Sequence, residues 1–204
     1  MSSKEGDILL SVLICSIPER IQLLSNMYNQ IMSQIHNKPV ELIVLTDNRT
    51  MSIGQKRQKL NEIARGKYVA HIDDDDEITP DYIDTLLEKI RQDDYDCINF
   101  ICMVYINDDP PKPCKYSKDY EYKTFPDHIT RRPNSRCCYK RSVALKHSYA
   151  DFPYAEDDDW GIRASHDIKT ECNIDKVLYS YKFKTKPNSW FMTKPYRIKY
   201  GVDH

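Results

Sequence analysis

The sequence predicts an α/β domain whose mostly parallel central sheet is flanked by helices. Three observations predict it. Short, nearly continuous apolar runs at 8–15, 40–45 and 68–72 have the composition of strands buried on both faces. Each is followed by a segment whose apolar residues recur every three or four positions, the helical period. The links between runs are short, and such alternation gives parallel strands joined by right-handed crossovers.

Taken in order, residues 8–15 (ILLSVLIC) form the first expected strand. Pro18 then precedes a helix whose Ile21, Leu24, Tyr28, Ile31 and Ile35 define one apolar face. Residues 40–45 (VELIVL) form a second buried strand, ended by Thr46-Asp47-Asn48. Ser52 or Gly54 opens a second helix carrying Leu60, Ile63 and Ala64 inward. After a third strand at 68–72, Thr79 and Pro80 read as N-cap and first residue of a helix over 80–91. Its Ile83, Leu86, Leu87 and Ile90 keep helical spacing. Residues 96–106 (DCINFICMVYI) form a fourth strand.

The pattern then breaks. Residues 107–134 are rich in Pro, Lys, Asp and Tyr, too long for an ordinary connection, and read as a functional loop or short hairpin. A short strand at 137–140 and a short helix at 141–147 follow. Another helix begins within Glu156-Asp157-Asp158-Asp159, where carboxylates suit the positive end of a helix dipole; Trp160, Ile162 and Ala164 continue it. Residues 174–183 form a late strand. The segment 184–204 sets aromatic residues between basic ones and reads as a lid or a docking segment. There is no internal repeat, so 1–204 is taken as one domain.

Composition narrows the class. The 204 residues are 40% hydrophobic and 30% charged, ordinary values for a soluble globular chain. A formal net charge of -1 gives no global pull toward nucleic acid or anionic membrane. No apolar stretch is long enough to span a membrane, and residues 1–7 lack a signal-peptide core. The seven cysteines include no C-x-x-C pair, which predicts reduced thiols in a cytoplasmic protein and no zinc site.

In a parallel sheet, ligands bind beyond the carboxyl ends of the strands. Three strand ends carry chemistry-bearing residues: Ser16-Ile17-Pro18-Glu19-Arg20, Thr46-Asp47-Asn48 and Asp73-Asp74-Asp75-Asp76. The last run is the most telling. Packed carboxylates disfavour one another's ionised forms unless a cation sits among them, and a divalent metal with hard oxygen ligands is the natural partner. An EF-hand loop counted from Asp73 would need Gly at its sixth position and Glu at its twelfth. Those positions hold Ile78 and Asp84, so that reading fails. Basic clusters at 131–146 and 182–199 would suit a polyphosphate ligand or a solvated face.

The order of these motifs, from Leu10 to about Phe183, resembles the GT-A glycosyltransferases of family 2. Residues 11–20 (SVLICSIPER) are similar to the family's opening strand and nucleotide-contacting loop. Residues 40–48 (VELIVLTDN) are similar to its second strand, and 52–68 to the helix leading into the metal strand. Residues 71–83 (HIDDDDEITPDYI) are the closest match and hold the D-x-D as Asp73-Asp74-Asp75. Residues 155–160 (AEDDDW) resemble the later Glu-Asp motif of inverting members. There are two departures. Asp47-Asn48 stands where paired carboxylates are commoner, and Tyr179-Ser180-Tyr181-Lys182 lacks the His that some members use as a metal ligand.

The resemblance implies a sugar transferred from a nucleotide-diphosphate donor, a UDP-sugar in the first instance, to a hydroxyl of a glycan, protein or other acceptor. It implies Mn²⁺ or Mg²⁺ on Asp75 with Asp73 or Asp76, and donor contacts from Ser16, Pro18, Arg20, Asp47, Lys56, Asp73 and Asp74. Asp157 would be the general base of an inverting displacement, its basicity raised by its acidic neighbours, with Glu156, Asp158 and Trp160 toward the acceptor; Trp160 suits either stacking on a sugar ring or a place in the core. Residues 1–106 would form the donor half and 107–183 the acceptor half. The alternative is a binding module of the same fold without turnover. A sugar-nucleotide pyrophosphorylase would need a Gly-rich loop after the first strand, and residues 16–20 contain no Gly.

Overall fold

The structure, a computed structural model, describes residues 7–151 and 155–184. The basic-aromatic tail expected at 184–204 lies, beyond Lys184, outside the described residues.

The first part of the chain alternates as expected: β1 (Leu10–Ser16), α1 (Ile21–Ile35), β2 (Val40–Thr46), α2 (Ile53–Ile63), β3 (Tyr68–His71), a two-residue β4 (Glu77–Ile78), α3 (Tyr82–Gln92) and β5 (Cys97–Ile106). The second part holds β6 (Lys112–Tyr116), β7 (Lys123–Thr124), β8 (Ile129–Arg131), β9 (Cys138–Lys140), α4 (Arg141–Ala144), α5 (Glu156–Ser165) and β10 (Glu171–Phe183). The stretch expected as a loop or hairpin thus contributes three short strands.

The sheet runs β2-β1-β3-β9-β5-β6-β8-β7, with β10 also on β5 and β4 on β10. Its long pairings are parallel, as expected, and its short ones make it mixed. β1 pairs parallel with β2 and β3, and β10 with β5. β9, however, enters antiparallel between β3 and β5, and β6 is antiparallel to β5. The cause is connectivity: helical crossovers let β2 and β3 return parallel to β1, while β6 and β9, reached without one, run antiparallel to β5.

β1 is buried along its whole length, as its unbroken apolar run requires. Each fully buried Leu or Ile there contributes roughly 1.5–3 kcal/mol of burial free energy. β2, expected to be buried, is an edge strand, half-buried from Val40 to Leu45. The buried face of α1 is Leu24, Met27, Ile31 and Gln34, while Ile21 and Tyr28 are exposed. Gln34 is admitted because its amide is satisfied: Nε2 donates to Thr79 O (3.0 Å), and Oε1 accepts from Ile83 N (3.1 Å). That contact satisfies an N–H of α3's first turn, which begins at Tyr82, two residues later than Pro80 suggested.

Ser52 caps α2 with a full capping box, accepting from Gln55 N while Gln55 accepts from Ser52 N. Leu60 and Ala64 point inward, but Ile63 is exposed. Beside Leu60 the buried positions are polar: Lys56, Arg57 and Asn61. Those side chains face the ends of β1 and β3, where the candidate site lies.

Candidate active site

The carboxyl end of β1 meets the acidic run. Ser16 Oγ donates to Asp74 Oδ2 at 2.6 Å. Pro18 opens a single 3₁₀ turn that ends at Arg20. The Arg20 guanidinium folds back onto Asp74 and Asp75, the second at 2.7 Å. Burial raises the Asp74 carboxyl, opposed by the Ser16 and Arg20 contacts. Asp75 is the solvent-facing member, its side chain 46% exposed.

At the end of β2, Asp47 closes its own turn. Its Oδ2 accepts from Thr50 N (2.6 Å), Thr50 Oγ1 (3.0 Å) and Met51 N (2.8 Å). Its other oxygen pairs with Lys56, which holds the carboxyl well below the usual range. Lys56 is buried, and Nζ also donates to Ser16 O at 3.0 Å. Lys56 therefore joins the β1 and β2 ends to each other.

The flanks of the run are held most tightly. Asp73 Oδ1 accepts from Arg57 Nη2 at 2.7 Å, and Arg136 Nη2 stands 3.9 Å from Oδ2. Burial pushes the Asp73 carboxyl up, but the two guanidiniums outweigh it and hold it below its ordinary value. Asp76 is buried. It accepts from Tyr179 Oη at 2.6 Å, and Tyr179 Oη accepts in turn from Asp73 N at 3.1 Å. Desolvation, then the charge on Asp73, raises Asp76 to about 8.

The second acidic cluster is the first turn of α5, as expected. Glu156 is buried, with Oε1 accepting from Arg57 Nε at 3.1 Å. Desolvation and the neighbouring Asp157 raise it to about 7, so the repulsion expected inside this cluster is felt at Glu156. Asp157 Oδ2 accepts from Asn134 Nδ2 (2.8 Å) and Arg136 Nη1 (3.5 Å). Asp158 pairs with Arg131.

Of the two roles open to Trp160, the structure gives it the core one and not the sugar-ring one. It is 1% exposed, stacked on Tyr149 (centroids 4.9 Å) and edge-on to Tyr139 (4.8 Å). Its Nε1–H donates to His147 O at 2.9 Å. Its position, three residues after Asp157, is the inward face of α5.

The profile of the Glycosyl transferase family 2 domain matches residues 11–150, more than half of the chain. The chain belongs to glycosyl transferase family 2. The match includes the acidic run at β3 and stops before the α5 cluster. An uncharacterized glycosyltransferase of Methanocaldococcus jannaschii is 25% identical over 166 residues, 78% of this chain and 57% of that protein. The fold is similar to crystal structures of S. aureus TarS residues 1–349. The complex with UDP gives a TM-score of 0.62 at 13% identity, covering 86% of this chain and 60% of TarS 1–349. The complex with UDP-GlcNAc gives 0.57 at 13% identity, covering 93% and 64%. This family 2 chain therefore spans less than two thirds of each of these relatives.

Within the family 2 domain, Asp75 and Asp73 are the residues that could hold a divalent ion. Among the described residues no group of three or more His, Cys, Asp or Glu side chains forms a cage for one. Mg²⁺-like ions are commonly held by one or two carboxylates and completed by substrate phosphates and water. An exposed Asp75 beside Asp73 fits that second kind of site. Among the described residues no helix is long and apolar enough to cross a membrane.

Arg57, Asn134, Arg136 and Tyr179 were not singled out from the sequence. Arg57 carried one usable signal: a charged residue one turn before Leu60, on the inward face of an amphipathic helix. Arg136 carried none beyond its place in a basic cluster. Its guanidinium lies 4.1 Å over the Tyr181 ring, a contact made by the topology.

Proposed function

We propose that this chain transfers a sugar from a UDP-sugar to an acceptor hydroxyl with inversion at the anomeric carbon. One observation carries the reading. A single guanidinium, Arg136, lies between Asp73 at the end of β3 and Asp157 at the start of α5, so the two acidic clusters face one place. The UDP and UDP-GlcNAc held by the similar TarS structures support the choice of donor.

In this reading residues 1–106 receive the donor and 107–183 the acceptor. A Mn²⁺ or Mg²⁺ held by Asp75 with Asp73 would supply Lewis-acid stabilisation of the departing diphosphate. Ser16, Pro18 and Asp47 shape the nucleotide side of the cleft. Arg20 and Arg136 bring fixed positive charge to where the diphosphate becomes more negative. Lys56 acts indirectly, by tying Ser16 to Asp47. Asn134 and Arg136 both contact Oδ2 of Asp157, which leaves Oδ1 to accept the proton of the acceptor hydroxyl. The new bond forms from that oxygen to the anomeric carbon as the bond to the diphosphate oxygen breaks, so the nucleoside diphosphate leaves from the opposite face. Glu156 has a pKa suited to a base near neutrality, but it is buried against Arg57 and is better read as an anchor. The seven cysteines are free thiols, consistent with a reducing compartment such as the cytoplasm.

The test is nucleotide release from UDP-, GDP- and dTDP-sugars with Mn²⁺, Mg²⁺ or EDTA, for the wild type and Asp75→Ala. Metal-dependent turnover of a UDP-sugar, lost in Asp75→Ala, supports the proposal. Metal-dependent nucleotide binding without turnover, across a broad acceptor panel, favours a binding module. Neither binding nor turnover would sink the donor-site assignment.

A further inference from the structure

We propose that Arg57 is a positioning residue that sets the donor carboxylate Asp73 and the base-bearing turn of α5 in one frame. The inference rests on the transferase reading and adds a component to it.

Arg57 is the short link between the two acidic clusters. Its side chain is only 6% exposed. Nη2 donates to Asp73 Oδ1 at 2.7 Å and Nε to Glu156 Oε1 at 3.1 Å. A planar fork can hold two carboxylates in fixed directions at once, whereas the point charge of a lysine cannot. Glu156 is next in sequence to Asp157, so the strut ends one residue from the proposed base. Arg136 spans the same gap more loosely, at 3.5 and 3.9 Å.

Packing gives independent support. A Cβ on Gly54, in the first turn of α2, would stand 2.3 Å from Ala150 O and 3.5 Å from Glu156 Cγ. The helix that carries Arg57 is therefore pressed against the approach to α5, and only a residue without a side chain allows it there. One turn further along the same buried face of α2, Asn61 Oδ1 lies 2.9 Å from His71 Nε2, which ties the same helix to β3. Arg57 projects from a helix already fixed to both parts.

The experiment compares wild type with Arg57→Met, Arg57→Lys, Glu156→Gln and the Met/Gln double variant. Read together are kcat and KM for the donor, UDP affinity with Mn²⁺, melting temperature, and amide hydrogen exchange at 156–159. Arg57→Met is expected to lower kcat about 100-fold, the effect of a misplacement of about 1 Å at a reacting group. Glu156→Gln should lower kcat comparably with UDP affinity unchanged. The double variant should be little worse than either single one, because both cut one strut. Arg57→Lys should restore part of the stability and little of the kcat. Exchange at 156–159 should rise in Arg57→Met and Glu156→Gln. Variants that melt earlier but keep wild-type kcat and exchange while folded would overturn the positioning role. So would additive effects of Arg57→Met and Glu156→Gln. If the wild type transfers nothing, raised exchange in the variants supports the strut while the transferase reading falls.

Discussion

Gly161 lies in the second turn of α5, four residues after Asp157, and Gly161→Ala separates packing from propensity there. Alanine is the better helix former by about 1 kcal/mol, so propensity alone predicts a more stable protein. The structure predicts the opposite. A Cβ at this position would stand 2.6 Å from Pro133 O, 3.0 Å from Asn134 Cα and 3.1 Å from Asn134 Cβ. The nearest atoms are backbone, so no rotamer change relieves them. Reaching ordinary contact at 3.4 Å means opening the gap by 3.4 − 2.6 = 0.8 Å. The Pro133–Asn134 peptide must move, and it carries Asn134, whose Nδ2 holds Asp157 Oδ2 at 2.8 Å. A shift of that size stretches the bond past hydrogen-bonding range. Overpacking costs about 1–3 kcal/mol, so the net destabilisation is about 0–2 kcal/mol after the propensity gain. The effect on turnover is larger, about 100-fold in kcat, because the displaced group aims the proposed base. The assay is UDP release with donor, acceptor and metal, alongside thermal melts, with the exposed neighbour Ile162→Ala as control. A Gly161→Ala enzyme with near wild-type kcat would refute the reasoning, and a raised melting temperature would show that propensity wins.

Other expectations follow from the same geometry. Trp160→Ala should cost about 3–5 kcal/mol, while Trp160→Phe should lose less and leave substrate KM values unchanged; a raised acceptor KM in the Phe variant would restore the sugar-stacking role. Asp76 has its folded pKa raised from 3.8 to about 8, so the folded state binds the extra proton between those values. Its contribution to stability is therefore complete below about 4 and is lost as pH rises toward 8. Asp76→Asn should flatten the denaturant-derived stability profile across that window and gain most, relative to wild type, near pH 8; an unchanged profile would contradict the assignment. With no self-sufficient cation cage among the described residues, Mn²⁺ alone should barely move the melting point. Mn²⁺ with UDP at 100 times its Kd should stabilise by about 2.7 kcal/mol. A large shift from metal alone would point to an ion held by protein groups only.

The first part of the chain was legible because its signals are local. Unbroken apolar runs mark β1 and β3, the 3.6-residue period marks α3, and four carboxylates after a strand mark the site. The parallel core of the sheet was legible, but the antiparallel entry of β9 was not, since it depends on how the 107–137 excursion folds back. The face of α1 was misjudged because hydrophobicity favoured Ile21 and Tyr28 over Gln34. Gln34 is buried only because distant Thr79 and Ile83 satisfy its amide. The carboxylates were found and their partners were not: Arg57, Asn134, Arg136 and Tyr179 reach the acidic clusters from three separate places, α2, the β8–β9 loop and β10. No spacing rule connects them. Trp160 follows the same logic, since its neighbours in sequence are charged and its neighbours in space are tyrosines.

The most direct test of the account is Asp157→Asn, measured for UDP-sugar turnover and for UDP affinity in the presence of Mn²⁺. The Asn variant keeps the shape and an oxygen for the Asn134 contact, but it cannot take a proton. The account predicts that turnover is lost while UDP affinity stays at the wild-type level. Turnover retained in Asp157→Asn would contradict the assignment of Asp157 as the base. Affinity lost together with turnover would place Asp157 in donor binding instead.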